Sequence, residues 1–203
     1  MAKRQDNMRE RLIAAAHDLA RRKGFDRTSV TDILEVSGGG RGSFFHYFPN
    51  KESLGLTVLK RDRKDFMKLL DRCFNSGATP LDKIECFFAE ALKIHRERGF
   101  VGGCLWGNTA LEMSDSNPVF SIFTAKVFDE WMGKLAKVIR AGQEMGDFRN
   151  DFSAAELARS AVATIEGGIM LSRLKKDETP LQECLEMLRA LLKDASFLSC
   201  KTE

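Results

Sequence analysis

Apolar positions recur at helical spacing through almost the whole chain, and no stretch sustains the period-2 alternation of a half-buried strand. A first helix is predicted from about Arg4 to Lys23. It carries Met8, Leu12, Ala15, Ala16 and Leu19 on one face, and Gly24 is placed to take the left-handed conformation that ends it. Ser29, followed three residues later by Asp32, forms a capping box that opens a very short helix through Val36. Ser37-Gly38-Gly39 then turns the chain, and a second short helix occupies about Gly40 to Tyr47. Pro49 prevents continuation, and Asn50 caps a long helix from Lys51 to about Phe74.

The same punctuation continues downstream. Thr79-Pro80 and Asn117-Pro118 each place a cap before a proline at the first helical position, predicting helices to about Arg98 and Ala141. Between them, glycines at 99, 102 and 103 interrupt the pattern before a segment from about Leu105 to Met113. Gly146 closes that unit. Ser153 with Glu156, and Thr179 with Pro180 and Gln182, are two more capping boxes, each opening a helix of about 20 residues. Their apolar stripes run through Leu157, Ala161, Ile165, Gly168 and Leu171, then through Leu181, Leu185, Leu188, Leu191 and Ala195. Gly167-Gly168 in mid-helix costs about 1 kcal/mol per glycine against alanine, a cost offset where another backbone approaches closely. Two readings stay open for these stripes: a helix-on-helix dimer contact through Leu157, Ala161, Ile165, Gly168, Leu171, Leu185, Leu188 and Leu191, or the chain's own core. The fold class is all-α.

Composition narrows the picture. The 203 residues are 43% apolar and 30% charged, a globular balance that excludes a disordered protein. Cys73, Cys86, Cys104, Cys184 and Cys200 are odd in number and irregularly spaced, which fits a reducing cytoplasm better than a secreted disulfide framework. The first segment has no apolar run of signal-peptide length, and no membrane span is expected. The net charge of +3 is unevenly spread: residues 1–65 hold 14 Lys and Arg against 9 Asp and Glu, whereas the remainder is slightly acidic. A nucleic-acid partner for the N-terminal end is plausible on that ground, as is an ordinary solvated surface. No G-x-S-x-G, H-E-x-x-H, paired C-x-x-C or Walker motif occurs, and His17, His46 and His95 lack metal-ligand spacing. No catalysis, cofactor or metal is expected.

The densest signal is the run from Ser29 to Phe48, two short helices about a glycine turn, which is helix-turn-helix spacing. A permissive turn lets the second helix enter a major groove, where Arg41, Ser43 and His46 supply hydrogen bonds. Helix N-termini near Ser29, Gly40 and Lys51 are candidates for phosphate contacts.

Gly24-Phe25, Thr28-Ser29, Ile33, Gly38, Arg41-Gly42-Ser43, His46-Tyr47-Phe48 and Lys51-Glu52-Ser53-Leu54 stand in an order and spacing that resemble the TetR family of bacterial transcriptional repressors, over about residues 8–58. The resemblance implies an N-terminal three-helix helix-turn-helix DNA-binding domain, residues 1–50, and a C-terminal helical ligand-binding and dimerisation domain, residues 51–203, beginning with a long connecting helix at about 51–74. It implies a ligand-responsive repressor that binds a pseudo-palindromic operator as a homodimer. Carried over by position, Ser29, Thr31, Arg41, Gly42, Ser43, Phe45, His46, Tyr47 and Lys51 become the DNA-binding residues, with Lys51 on a phosphate and Phe44 and Phe48 in the core. Gly39 and Gly40 depart from the family's usual apolar residue and Ser/Thr cap, and Phe45 replaces a Tyr that commonly reaches phosphate.

Farther on, Gly103-Cys104-Leu105-Trp106-Gly107-Asn108 resembles a Gly-Cys-x-x-Gly-Asn segment of one subgroup, some members of which respond to electrophiles or oxidants through a cysteine. Cys104 lies near a helix N-terminus, where the dipole favours a thiolate. The middle helices are rich in aromatics that suit a small apolar effector. Cys104, Trp106, Asn108, Phe87, Phe123 and Trp131 are therefore the candidate effector residues, against the alternative that these aromatics are plain core. His95 and Glu112 are the candidate polar contacts there, with a satisfied buried histidine and a surface glutamate as the simpler reading. The rival for the whole chain is a helical adaptor that binds protein and no DNA.

Overall fold

The capping chemistry is realised helix by helix in the computed structural model, which describes residues 2–193; Ala195 and Cys200 lie outside them. The described residues form α1 (Ala2–Lys23), α2 (Val30–Ser37), α3 (Arg41–Tyr47), α4 (Lys51–Asn75), α5 (Pro80–Glu97), α6 (Leu105–Met113), α7 (Pro118–Met145), α8 (Ala154–Lys175) and α9 (Thr179–Lys193). Ser29, Thr79 and Ser153 each cap a helix through the full reciprocal box, with Asp32, Asp82 and Glu156 as return partners. Asn50 Oδ1 accepts the Ser53 N–H at 2.8 Å and so opens α4.

Two boundaries differ from the sequence expectation. Helix α7 runs past Ala141 to Met145 because Gly142 is an interior packing position: a Cβ there would lie 2.1 Å from Phe148 Cδ2, and the left-handed stop comes at Gly146, φ 77°. Helix α9 does not use Thr179 as its cap. Asp177 Oδ1 accepts the Thr179 N–H at 2.7 Å, and the Gln182 amide turns instead to Glu186.

The chain divides into two compact units. One comprises the chain through Phe66 together with Cys104–Ala125. Its core gathers Leu12, Ala16, Phe25, Ile33, Phe44, Leu54 and Phe120, each at most 5% exposed. This unit is larger than the expected 1–50 segment because α6 and the start of α7 pack with α1 and the α1–α2 turn. Phe120 meets Phe25 at 5.1 Å between centroids, and Gly55 leaves room for both rings, since a Cβ there would lie 2.2 Å from Phe25 Cζ.

The other unit comprises Met67–Gly103 and the chain from Lys126 onward. Here α8 packs along α9, and Leu157, Ala161, Ile165, Gly168, Leu185 and Leu188 are buried within the single chain. That corrects the interface reading for these six residues, because a side chain enclosed by its own protomer has no surface for a second copy. The close approach at Gly168 is likewise internal: a Cβ would lie 3.1 Å from both Cys184 Cβ and Leu181 Cδ1. Of the original stripe, Leu191 is half-buried and Leu171 exposed. The large apolar side chains that α8 and α9 expose are Met170, Leu171, Leu174 and Met187, with Leu174 78% exposed.

Candidate nucleic-acid interface

Helix α3 is short, and what fixes its orientation is the burial of one face. Phe44 and Phe48 are 0% and 3% exposed, with their rings 6.1 Å apart. The opposite face carries Arg41, Gly42, Phe45 and His46 into solvent, at the i, i+1, i+4 and i+5 spacing of one helical stripe. Ser43 and Tyr47 flank it half-buried, and the Tyr47 ring stands edge-on to His46 at 4.7 Å. Phe45 is 57% exposed and Val36 of α2 58%, so the reading surface mixes a cation, an imidazole and apolar groups.

Gly38, φ 65°, makes the turn between α2 and α3, and its N–H returns to Leu34 O. A side chain there would be strained by the left-handed backbone and would meet Arg11 Nη2 at 2.5 Å. Gly40 caps α3 with no side-chain bond, the consequence of the departure from Ser or Thr. At α2, Ser29 and Thr31 are exposed. The Asp32 carboxylate accepts the Ser29 N–H at 2.7 Å and pairs with Lys23 Nζ at 2.8 Å. The Lys23 ammonium first, and then the Ser29 amide and hydroxyl, hold the Asp32 carboxyl down to about 2.

Lys51 is placed differently from its expected phosphate role. Its ammonium donates to Phe25 O at 3.2 Å and Asp26 O at 3.1 Å, and it lies 5.3 Å over the Phe25 ring. The side chain is a tie for the α1–α2 turn, sharing Phe25 O with the Thr28 N–H, which reaches it at 3.2 Å.

The same dipeptide is gripped from its amide side by a residue that sequence reasoning missed. Glu112 of α6, expected either in an effector pocket or on the surface, accepts the Phe25 N–H at 2.7 Å and the Asp26 N–H at 3.0 Å. Asn108, one turn earlier, donates to Arg21 O at 3.2 Å, and Asn117 donates to Glu52 at 2.7 Å. Nothing local in the sequence announces this clamp, since Glu112 and Phe25 are 87 positions apart.

The candidate effector residues fall into both units. Cys104 occupies the half-buried N-cap of α6, after two buried glycines at positive φ, 86° and 62°. Trp106 is 2% exposed and lies 6.3 Å from the half-buried Phe123, and its indole N–H meets no acceptor among the described residues. Those residues and Asn108 belong to the first unit. Phe87 and Trp131, each 2% exposed, belong to the second, where they meet edge-on at 5.8 Å within a cluster that includes Phe74 and Phe128. His95 is buried, as the simpler reading had it.

Comparison with known proteins decides the lineage. The profile of bacterial regulatory proteins of the tetR family matches residues 12–57, and that of the tetracyclin repressor-like C-terminal domain matches residues 80–188. The chain belongs to the TetR family. This TetR-family protein is a DNA-binding transcriptional regulator, and ligand response, dimer formation and effector release are typical of the family. It is 31% identical to the transcriptional regulator AcuR of Cereibacter sphaeroides, over 84% of this chain and 78% of that one. It is 25% identical to the transcriptional repressor DhaR of a Mycobacterium species, over 95% and 96% of the two chains. Among solved structures, a regulatory protein TetR from Rhodobacter sphaeroides superposes with TM-score 0.85 at 29% identity, covering 90% of this chain and 97% of that one. The adaptor reading is thereby overturned. No helix of the described residues is long and apolar enough to cross a membrane.

Proposed function

We propose that this regulator is a repressor that binds a pseudo-palindromic operator as a homodimer, with α3 of each protomer in a major groove. Residues 1–50 form the reading head, and residues 51–203 carry effector binding and dimerisation. Arg41, Gly42, Phe45 and His46 face the bases, and Ser29, Thr31, Ser43 and Tyr47 flank them toward the backbone. The observation that supports this is the polarity of α3, with Phe44 and Phe48 in the core and the opposite stripe bare. Two such helices read half-sites about 34–36 Å apart. Dimerisation uses the exposed face of Met170, Leu171, Leu174 and Met187 rather than the buried stripe. The effector is a small apolar or electrophilic molecule. Cys104 in its Gly-Cys-x-x-Gly-Asn segment is the sensor, supported by its half-buried place as the N-cap of α6, at the positive end of the helix dipole.

Selection of random duplex DNA at about 150 mM salt, followed by sequencing, tests the reading head. Enrichment of an inverted repeat is the expected outcome, and retention without any sequence preference refutes it. Arg41→Ala is expected to cost about 1–3 kcal/mol on the selected operator and to relax one base position. Equal loss on every sequence removes Arg41 from the base-reading set. Leu174→Glu is expected to shift the protein toward monomer in sedimentation while leaving its helical signal intact, and an unchanged dimer would place the interface elsewhere.

A further inference from the structure

Among the described residues of the chain through Phe66, the large apolar side chains left in solvent are Val36, 58% exposed, and Phe45, 57% exposed. Both belong to the helix-turn-helix, Val36 to the last turn of α2 and Phe45 to the middle of α3. The Phe45 ring stands edge-on to the fully buried ring of Phe44, with centroids 5.2 Å apart and planes at 78°. Held against the core in this way, it has little rotameric freedom left to lose when it meets a partner. Gly42 lies on the same bare stripe, and a Cβ there would meet nothing within 4 Å. Packing inside the protein does not call for a glycine at that position, and the bare backbone suits close approach to an outside surface. The exposed stripe of Arg41, Gly42, Phe45 and His46 carries a guanidinium and no carboxylate, which fits a polyanion.

We propose that Phe45 is a specificity-determining residue for thymine, its ring packing on the C5-methyl group of one T·A pair in each half-site. The assignment rests on the reading above, in which α3 enters a major groove. Base edges in that groove are hydrogen-bonding groups with one apolar exception, the thymine methyl, and a phenyl ring has nothing else there to recognise. The ring offers no hydrogen bond, so the methyl alone distinguishes this pair from the others. Phe45 follows Arg41 by four residues, one turn farther along the same stripe. Four residues rise about 6 Å along a helix and successive base pairs about 3.4 Å, so the thymine lies about one to two base pairs from the pair that Arg41 faces. The half-site therefore carries a polar determinant and an apolar one side by side.

The probe is the duplex that the full chain enriches from random DNA at about 150 mM salt. It is synthesised with each thymine of the half-site replaced in turn by deoxyuridine, which removes the methyl and keeps every hydrogen-bonding group, and binding is read by fluorescence anisotropy. At one thymine position, uracil is expected to weaken wild-type binding about fourfold in one half-site and about 15-fold in both, the effect of one buried methyl at tenfold per 1.4 kcal/mol. Phe45→Ala is expected to bind the thymine duplex more weakly than wild type does and to bind the thymine and uracil duplexes equally, in protein whose melting curve matches the wild type. Arg41→Ala is expected to keep the uracil penalty at that position. The proposal is overturned, with the reading head intact, if the enriched duplex is bound specifically and no thymine responds to uracil. It is equally overturned if the penalty survives in Phe45→Ala or is lost instead in Val36→Ala. Retention of DNA without any sequence preference overturns the reading head and this assignment together.

Discussion

Replacing Glu112 by alanine tests whether α6 holds the turn that leads into the helix-turn-helix. The carboxylate receives the Phe25 N–H at 2.7 Å, at a part-buried position, and the Asp26 N–H at 3.0 Å, at an exposed one. Hydrogen bonds to a charged acceptor contribute about 1.5–3 kcal/mol each, but water replaces the exposed partner readily, so the loss on removal is about 2 kcal/mol. At tenfold per 1.4 kcal/mol this corresponds to about 30-fold faster amide exchange at Phe25 when exchange proceeds by local opening. If the loss is felt in the global transition, the melting temperature falls by roughly 4–8 °C. Glu112→Gln keeps one acceptor oxygen and is expected to fall between alanine and wild type. Gly24 supplies an internal check. Its φ is +89°, and a Cβ there would lie 2.3 Å from Glu112 Oε1. Gly24→Ala therefore carries a left-handed strain of about 1–2 kcal/mol and also displaces the carboxylate. In the Glu112→Ala background only the strain remains, so the two substitutions are expected to be non-additive by roughly 1 kcal/mol or more. Amide exchange at Phe25 unchanged in Glu112→Ala, or simple additivity with Gly24→Ala, refutes the clamp.

Two glycine substitutions should move stability in opposite directions. Gly55→Ala forces a Cβ to 2.2 Å from Phe25 Cζ and 2.7 Å from Phe120 Cζ. It is expected to destabilise by about 1–3 kcal/mol despite better helix propensity, whereas Gly133→Ala, with nothing within 4 Å, should stabilise by about 0.5–1 kcal/mol in urea unfolding. The acid side of the stability profile should report Asp32. Its carboxyl is held at about 2 in the folded chain. In the unfolded chain it titrates near 4, so its contribution is complete above about pH 4 and is lost as the pH falls through about 2. Asp32→Asn is expected to flatten the decline in α2 amide protection between about pH 5 and pH 2. An equally steep decline would show that other carboxylates govern it.

The sequence alone determined the all-α class, the helix-turn-helix from Ser29 to Phe48 and nearly every helix boundary. These follow from capping boxes, proline at the first helical turn and glycine stops, which act within three or four residues and so are visible locally. The core face of α3 came from the family resemblance, which placed Phe44 and Phe48 inside, and the structure buries both rings. Tertiary structure decided the rest. The expected end of α7 near Ala141 falls four residues short, and only the fold shows Phe148 packed where a side chain at Gly142 would lie. The apolar stripe through Leu157 and Leu188 is as consistent with a partner's helix as with its own neighbour. Only the packing of α8 on α9 shows that the stripe is internal and that Leu174 and Met187 are what remains outside. Lys51 had the charge and position of a phosphate contact, yet the carbonyls of Phe25 and Asp26 hold its ammonium. Glu112 was read as an effector contact or a surface group, because a hydrogen bond spanning 87 residues depends on where α6 comes to rest against α1.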